Sequence, residues 1–151
     1  MITDRTQQDV SAAALLRLKI QSGQTLTDTE KTAFERGALT ITTLNRIEGK
    51  QKEIAELLKK YAYQHGITTK TDWAYSDIML LDEYNRILNN LTYLKTAFFV
   101  NPDTPETPTD LTDYQKTNAA EKILVDLENL IEILKTNFKK CGTFQCGGDY
   151  L

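Results

Sequence analysis

Apolar residues recur at helical spacing along most of the chain, and three of these stripes open on related hexapeptides. They are Thr42-Thr43-Leu44-Asn45-Arg46-Ile47, Asp82-Glu83-Tyr84-Asn85-Arg86-Ile87 and the looser Asn118-Ala119-Ala120-Glu121-Lys122-Ile123. Each begins with a side chain whose oxygen can accept from the N–H groups that open a helix. Each carries a polar residue three places on, and Glu121 has the reach to complete a capping box. The stripes predict three long helices. The first turns Leu44, Ile47, Ile54, Leu57, Leu58 and Tyr61 inward, is interrupted at Gln51, and is expected to end at Gly66 in a left-handed turn. Gly49 inside it marks either a close approach of another backbone or a tolerated weak point. The second runs from Asp82 to Phe99 with Tyr84, Ile87, Leu88, Leu91, Leu94 and Phe98 inward. The third runs from Asn118 to Lys140, and its Ile123, Leu124, Leu127, Leu130, Ile131, Leu134 and Phe138 make a face wide enough for burial.

Two earlier helix starts precede these. Thr6 with Asp9 and Thr27 with Glu30 have capping-box spacing, Val10, Ala13, Ala14 and Leu18 mark one face, and Gly37 closes the second helix. A small helical hairpin is the expectation. Between the long helices, Thr68–Asp72 reads as a polar loop, and Trp73–Met79 as an irregular segment whose Trp packs back on the helices. Asn101–Asp110 contains all three prolines and reads as a semi-rigid crossover. From Cys141 the helical spacing stops and glycines alternate with Thr and aromatics, which predicts a short β-like tail. The expected fold is therefore all-α: a three-long-helix bundle over residues 1–140, with an N-terminal helical hairpin and a C-terminal β-tail at 141–151.

Composition narrows the function classes. A hydrophobic share of 40% with 26% charged residues is that of a globular chain, and a net charge of -3 gives no overall attraction to nucleic acid or anionic membrane. Lys59-Lys60 and Lys139-Lys140 fall at helix C-termini, where cations complement the dipole. No apolar run approaches the ~20 residues of a membrane span. The Ala12–Leu16 run is too short for a leader and Arg17 and Lys19 follow it, so synthesis in a cytoplasm is expected. Cys141, Cys146 and His65 would need carboxylates to hold zinc, so neither metal nor cofactor is expected. Reduced thiols in a tail are the plain reading of the cysteines; a hairpin disulfide is the alternative.

Candidate chemistry is thin. The repeated Asn45-Arg46 and Asn85-Arg86 pairs could offer an amide and a guanidinium to a carboxylate or phosphate, or Arg46 and Arg86 could pair with acids inside the molecule. The neighbouring acids favour the second. Trp73 with Tyr75, and Tyr61 with Tyr63, could form a sugar platform, against which stands the ordinary role of a lone Trp as a loop anchor. Acid pairs such as Asp82/Glu83 and Glu53/Glu56 lie off the apolar stripes, and no nucleophile, base and orienting acid share a plausible arrangement. No enzyme is expected. Phe144, Tyr150 and Leu151 have no local core and are candidates for docking on a partner by strand addition.

In their order, several pieces resemble something known: the -T-x-L-N-R-I-E- and -Y-N-R-I-L- helix starts, the Asp72-Trp73-Ala74-Tyr75-Ser76-Asp77 segment, the opening Ile2-Thr3-Asp4-Arg5-Thr6 and the Gly/aromatic tail. Together they resemble helical modules in minor structural proteins (tail-tip, baseplate or fibre-associated) of phages and prophages of Gram-positive Firmicutes. Glu48 follows the first N-R-I as in that pattern, whereas Leu88 follows the second. The resemblance implies a virion location and a structural or adaptor role through contacts with other virion proteins or with itself. A host-surface glycan-binding module and a phage regulator that binds another protein are the alternatives.

Overall fold

The computed structural model describes residues 1–61, 66–97 and 100–142, with side chains as far as residue 137. Among the described residues the chain is all-helical, with five helices and no strand: α1 (Gln7–Gln21), α2 (Asp28–Gly37), α3 (Ile41–Lys60), α4 (Leu81–Ala97) and α5 (Tyr114–Gly142).

The first two helices start where the threonines place them. Thr6 and Thr27 each accept from the N–H three residues on, and Asp9 and Glu30 each accept from the backbone of the cap. Both acids do a second job across the hairpin. Asp9 Oδ1 accepts from Arg36 Nε at 3.0 Å, and Glu30 Oε1 from Lys19 Nζ at 2.6 Å. The N-terminus of each helix is thereby tied to the last turn of the other, with charges that suit both dipoles. Glu30 is held down to about 2, chiefly by the Lys19 hydrogen bond and then by Thr27. Asp9 is lowered chiefly by the Thr6 backbone and hydroxyl, with Arg36 adding. A depressed carboxylate stabilises above its unfolded value and loses that contribution as pH falls through the folded one. Hydrogen exchange in α1 and α2 is therefore expected to accelerate between about pH 4.5 and 2 ahead of α3 and α5. Uniform acceleration would show that these pairs do not hold the hairpin.

Gly37 is the close approach in this fold. A Cβ there would lie 1.9 Å from the Asp9 carbonyl oxygen and 2.8 Å from the Ala13 Cβ. At Gly49 a Cβ would meet nothing within 4 Å, so the suspected close approach does not occur there. Gly37→Ala should lower stability by about 1–3 kcal/mol, or more if the hairpin cannot shift. Gly49→Ala should raise it by up to about 1 kcal/mol. Urea unfolding of the two variants measures both.

The long helices depart from expectation at their ends. α3 is capped by Thr40, not Thr42, and its last turn closes at Tyr61; Gly66 is not its terminator, and positive φ among the described glycines occurs at Gly23. α5 begins at Tyr114, where Asp113 Oδ1 accepts from Lys116 N at 2.8 Å, four residues before the expected Asn118. At its other end α5 continues through Cys141 and Gly142, so the expected change to tail conformation does not fall at Cys141. His65, Phe98, Phe99 and residues 143–151 lie outside the described residues, and the tail expectation with them.

The core follows the stripes at most positions, with Leu57, Tyr61, Tyr84, Leu130 and Leu134 half-buried at its margin. Ile47, Ile54, Leu58, Ile87, Leu91, Leu94, Ile123, Leu124, Leu127 and Ile131 are fully or almost fully buried, and Trp73 closes over them from its loop. Registered pairs show that the three helices run in the same direction. Arg46 meets Glu121 and Lys50 meets Glu128 between α3 and α5, while Glu48 meets Arg86 and Gln51 meets Asn90 between α3 and α4. Parallel neighbours need long returns, and both connections supply them. The Pro-bearing return is stitched down by Lys95 Nζ on the Pro105 carbonyl, by Thr104 on Asp126, and by the Tyr84 hydroxyl accepting from Leu111 N.

Candidate functional site

Two features stand out: a buried network of charge and an exposed strip of hydrocarbon.

The network begins with the repeated arginines. Arg46 donates from Nε and Nη2 to Glu121 Oε1 at 2.9 and 2.7 Å. The other carboxylate oxygen of Glu121 accepts from Arg5 Nη1 at 3.0 Å and from Ile2 N at 2.5 Å. Asn118 clips Arg5 in place, accepting from its backbone N–H and donating to its carbonyl. One helix away, Glu48 Oε1 accepts from Arg86 Nη2 at 2.8 Å and from Trp73 Nε1 at 2.9 Å, and its Oε2 takes Lys70 N at 2.6 Å. Asn45 grips the Trp73 backbone from both sides. Lys70 Nζ lies 4.4 Å from the centre of the Trp73 ring and pairs with Asp77, which lowers the Asp77 carboxyl. Glu48 and Glu121 are both 0% exposed, so each is a desolvated charge held by its partners.

Of the two readings open for the repeated arginines, these contacts are those of the internal one: Arg46 and Arg86 direct their donors to Glu121 and Glu48 and do not form an outward recognition pair. Glu121 does not reach back to a helix cap; it is the centre of the network. Trp73 is 4% exposed while Tyr75 is 90% exposed, so the two rings share no platform for a sugar. Helical spacing marks Glu48 and Glu121, neither of which stands among the expected site residues: Glu48 falls with Leu44, Ile47, Gln51 and Ile54, and Glu121 with Ala120, Leu124 and Leu127. An acid on an apolar stripe needs a cation within reach, and the two N-R-I motifs supply one each in the half-buried Arg86 and Arg46.

Besides that network, the described surface carries exposed hydrocarbon. α1 was expected to show one apolar face including Ala14 and Leu18; both are exposed, and Leu15 and Leu18 are 68% and 61% exposed. The face on α2 consists instead of Val10, Ala13 and Leu16, with Ala13 buried. Past the end of α1, a groove of about 690 Å³ runs between the hairpin and the Trp73 loop. Ile20, Leu26, Phe34 and Tyr75 make its walls, with Arg17 and Lys31 among its basic groups. Beyond Tyr75 the chain exposes Ile78, Leu80 and Leu81. Tyr75 and Ile20 line the same groove, so the exposed loop leads onto it as one strip, while Leu15 and Leu18 face away from Ile20 on another side of α1. Monomeric surfaces seldom expose such strips without a partner.

Among the described residues no cluster of three His, Cys, Asp or Glu could hold a metal ion, and no helix is long and apolar enough to cross a membrane. A more open, polar cleft of about 500 Å³ lies along α4, walled by Asn85, Asn89, Arg86 and Tyr93. Phe144, Tyr150 and Leu151, expected to dock on a partner, lie outside the described residues. Comparison of the chain with protein-family models, with curated proteins and with solved structures gives no match.

Proposed function

We propose that this chain is a non-enzymatic structural or adaptor module that works through protein–protein contact, in keeping with its resemblance to minor structural modules of phage tails and baseplates. The observation that carries the reading is the exposed hydrocarbon: a strip from Ile20 over the groove to Tyr75, Ile78, Leu80 and Leu81, and Leu15 and Leu18 on another side of α1. Interfaces of this kind are centred on aromatic and aliphatic anchors near a groove. The rest of the reading is a bundle of three parallel helices that serves as a stiff mount for that strip.

The test uses positions whose substitution leaves the interior alone. Leu18→Lys and Tyr75→Lys alter exposed side chains and should change stability by no more than about 0.5 kcal/mol. Mass spectrometry of virus particles induced from the source strain should find the wild-type chain in them. Both variants should be depleted from particles while their cellular levels stay unchanged. Absence of the wild-type chain, or incorporation of both variants at the wild-type level, would refute the proposal.

A further inference from the structure

We infer that the 690 Å³ groove receives residues 143–151 of a second copy of this chain, joining copies head to tail. The inference rests on the docking reading above and names the partner.

Three observations converge on it. The groove is lined by Thr40, the cap of α3, and so lies at the end of the molecule where the parallel helices begin. Residues 143–151 follow Gly142, the last residue of α5, and so leave from the opposite end. Along the helices, Glu121 beside Arg46 is ~31 Å of helical rise from Gly142, and Arg46 is ~9 Å beyond Thr40, a separation of about 40 Å. Residues 143–151, fully extended, span at most ~32 Å. The segment therefore cannot reach the far wall of its own groove at Thr40 and at most touches the near wall at Tyr75, whereas that of a neighbour placed end to end can lie along it.

The chemistry is complementary. Phe144, Tyr150 and Leu151 supply two aromatic anchors and an aliphatic one to walls made of Ile20, Leu26, Phe34 and Tyr75. The segment carries Asp149 and no cationic side chain. The groove carries one acid, Glu35, which accepts from Thr42, and two cations: Arg17, which has no protein partner among the described residues, and Lys31, whose carboxylate partner Asp28 is almost fully exposed. An acid arriving with the segment would give Arg17 a partner.

Because the donated segment and the receiving groove are different surfaces, the contact is heterologous, and that makes it separable by mixing. Sedimentation of the full chain under reducing conditions should show association that grows with concentration. Tyr150→Asp in the segment and Ile20→Asp in the groove should each weaken it roughly 30-fold, with unchanged circular dichroism. An equimolar mixture of the two variants should recover a dimer and stop there, since it holds one intact segment facing one intact groove. A wild-type chain that remains monomeric overturns the inference and leaves the strip to a different protein. Association abolished by Ile20→Asp but untouched by Tyr150→Asp overturns the inference while the docking face stands. Association untouched by Ile20→Asp overturns both. Failure of the mixture to recover a dimer overturns the head-to-tail arrangement.

Discussion

Glu121→Gln is expected to lower the stability of the fold by about 3–5 kcal/mol, the range for removing one partner of a buried ionic group. In a chain of this size that corresponds to a fall in Tm of roughly 6–20 °C. The substitution keeps the shape of the side chain and removes its charge. Arg5, with 3% of its side chain exposed, and Arg46, with 25%, are then left on an uncharged amide. Arg5 Nη2 is already buried without a hydrogen-bond partner among the described residues, so the site has little spare capacity to absorb the loss. The N-terminal strap should loosen with it, because Glu121 also takes the N–H of Ile2. Thermal unfolding of Glu121→Gln, Arg46→Gln and the double variant measures the coupling. A double variant as damaged as the sum of the singles would mean the two groups do not act together.

Glu48→Gln is expected to be of the same order, about 3–5 kcal/mol, and it carries its own optical readout. The carboxylate joins α3 to Arg86 on α4, to the indole of Trp73 and to the backbone at Lys70, so one side chain secures both a neighbouring helix and the returning loop. With the charge gone, the Trp73 segment should detach before the helices do. Trp73 is the chain's one tryptophan. Its emission should therefore shift to the red in Glu48→Gln under conditions where helical circular dichroism is unchanged. Trp73→Phe, which removes the indole N–H and shrinks the ring while Arg86 stays on the same carboxylate oxygen, should cost less, about 1–3 kcal/mol for the lost hydrogen bond and the space left behind. Unshifted emission with wild-type stability in Glu48→Gln would show that Glu48 does not hold the loop.

The helices were readable because their signals are local. The Thr6/Asp9 and Thr27/Glu30 boxes lie within one turn, and the leucines and isoleucines of α3, α4 and α5 fall inward wherever spacing puts them. The same locality misled at the long helices. Thr42 and Asn118 have the chemistry of caps, yet Thr40 and Asp113 stand earlier and take the free N–H groups first. Thr42 then bonds Glu35 and Asn118 holds Arg5. Nor can a stripe say which side of α1 faces its neighbour when apolar residues lie on both sides. The close contact at Gly37 settled it, by drawing Ala13 inward and leaving Leu15 and Leu18 outside.

The network was hardest to see because its partners are far apart in sequence. Arg46 and Glu121 meet only after two long returns have brought α5 alongside α3. Residue types therefore favoured acids inside the molecule as partners of the repeated arginines, without saying which acids. The missed clue was periodic: an acid in register with leucines is already committed to the interior.

The shared direction of α3, α4 and α5 has a consequence for any row of these molecules. Helix dipoles that point one way add, leaving each rod electropositive at one pole and electronegative at the other. A head-to-tail row as inferred above would set opposite poles together at every joint and so have a direction, as an arrow has. Its first and last members would offer different surfaces, a free groove at one end and a free segment at the other.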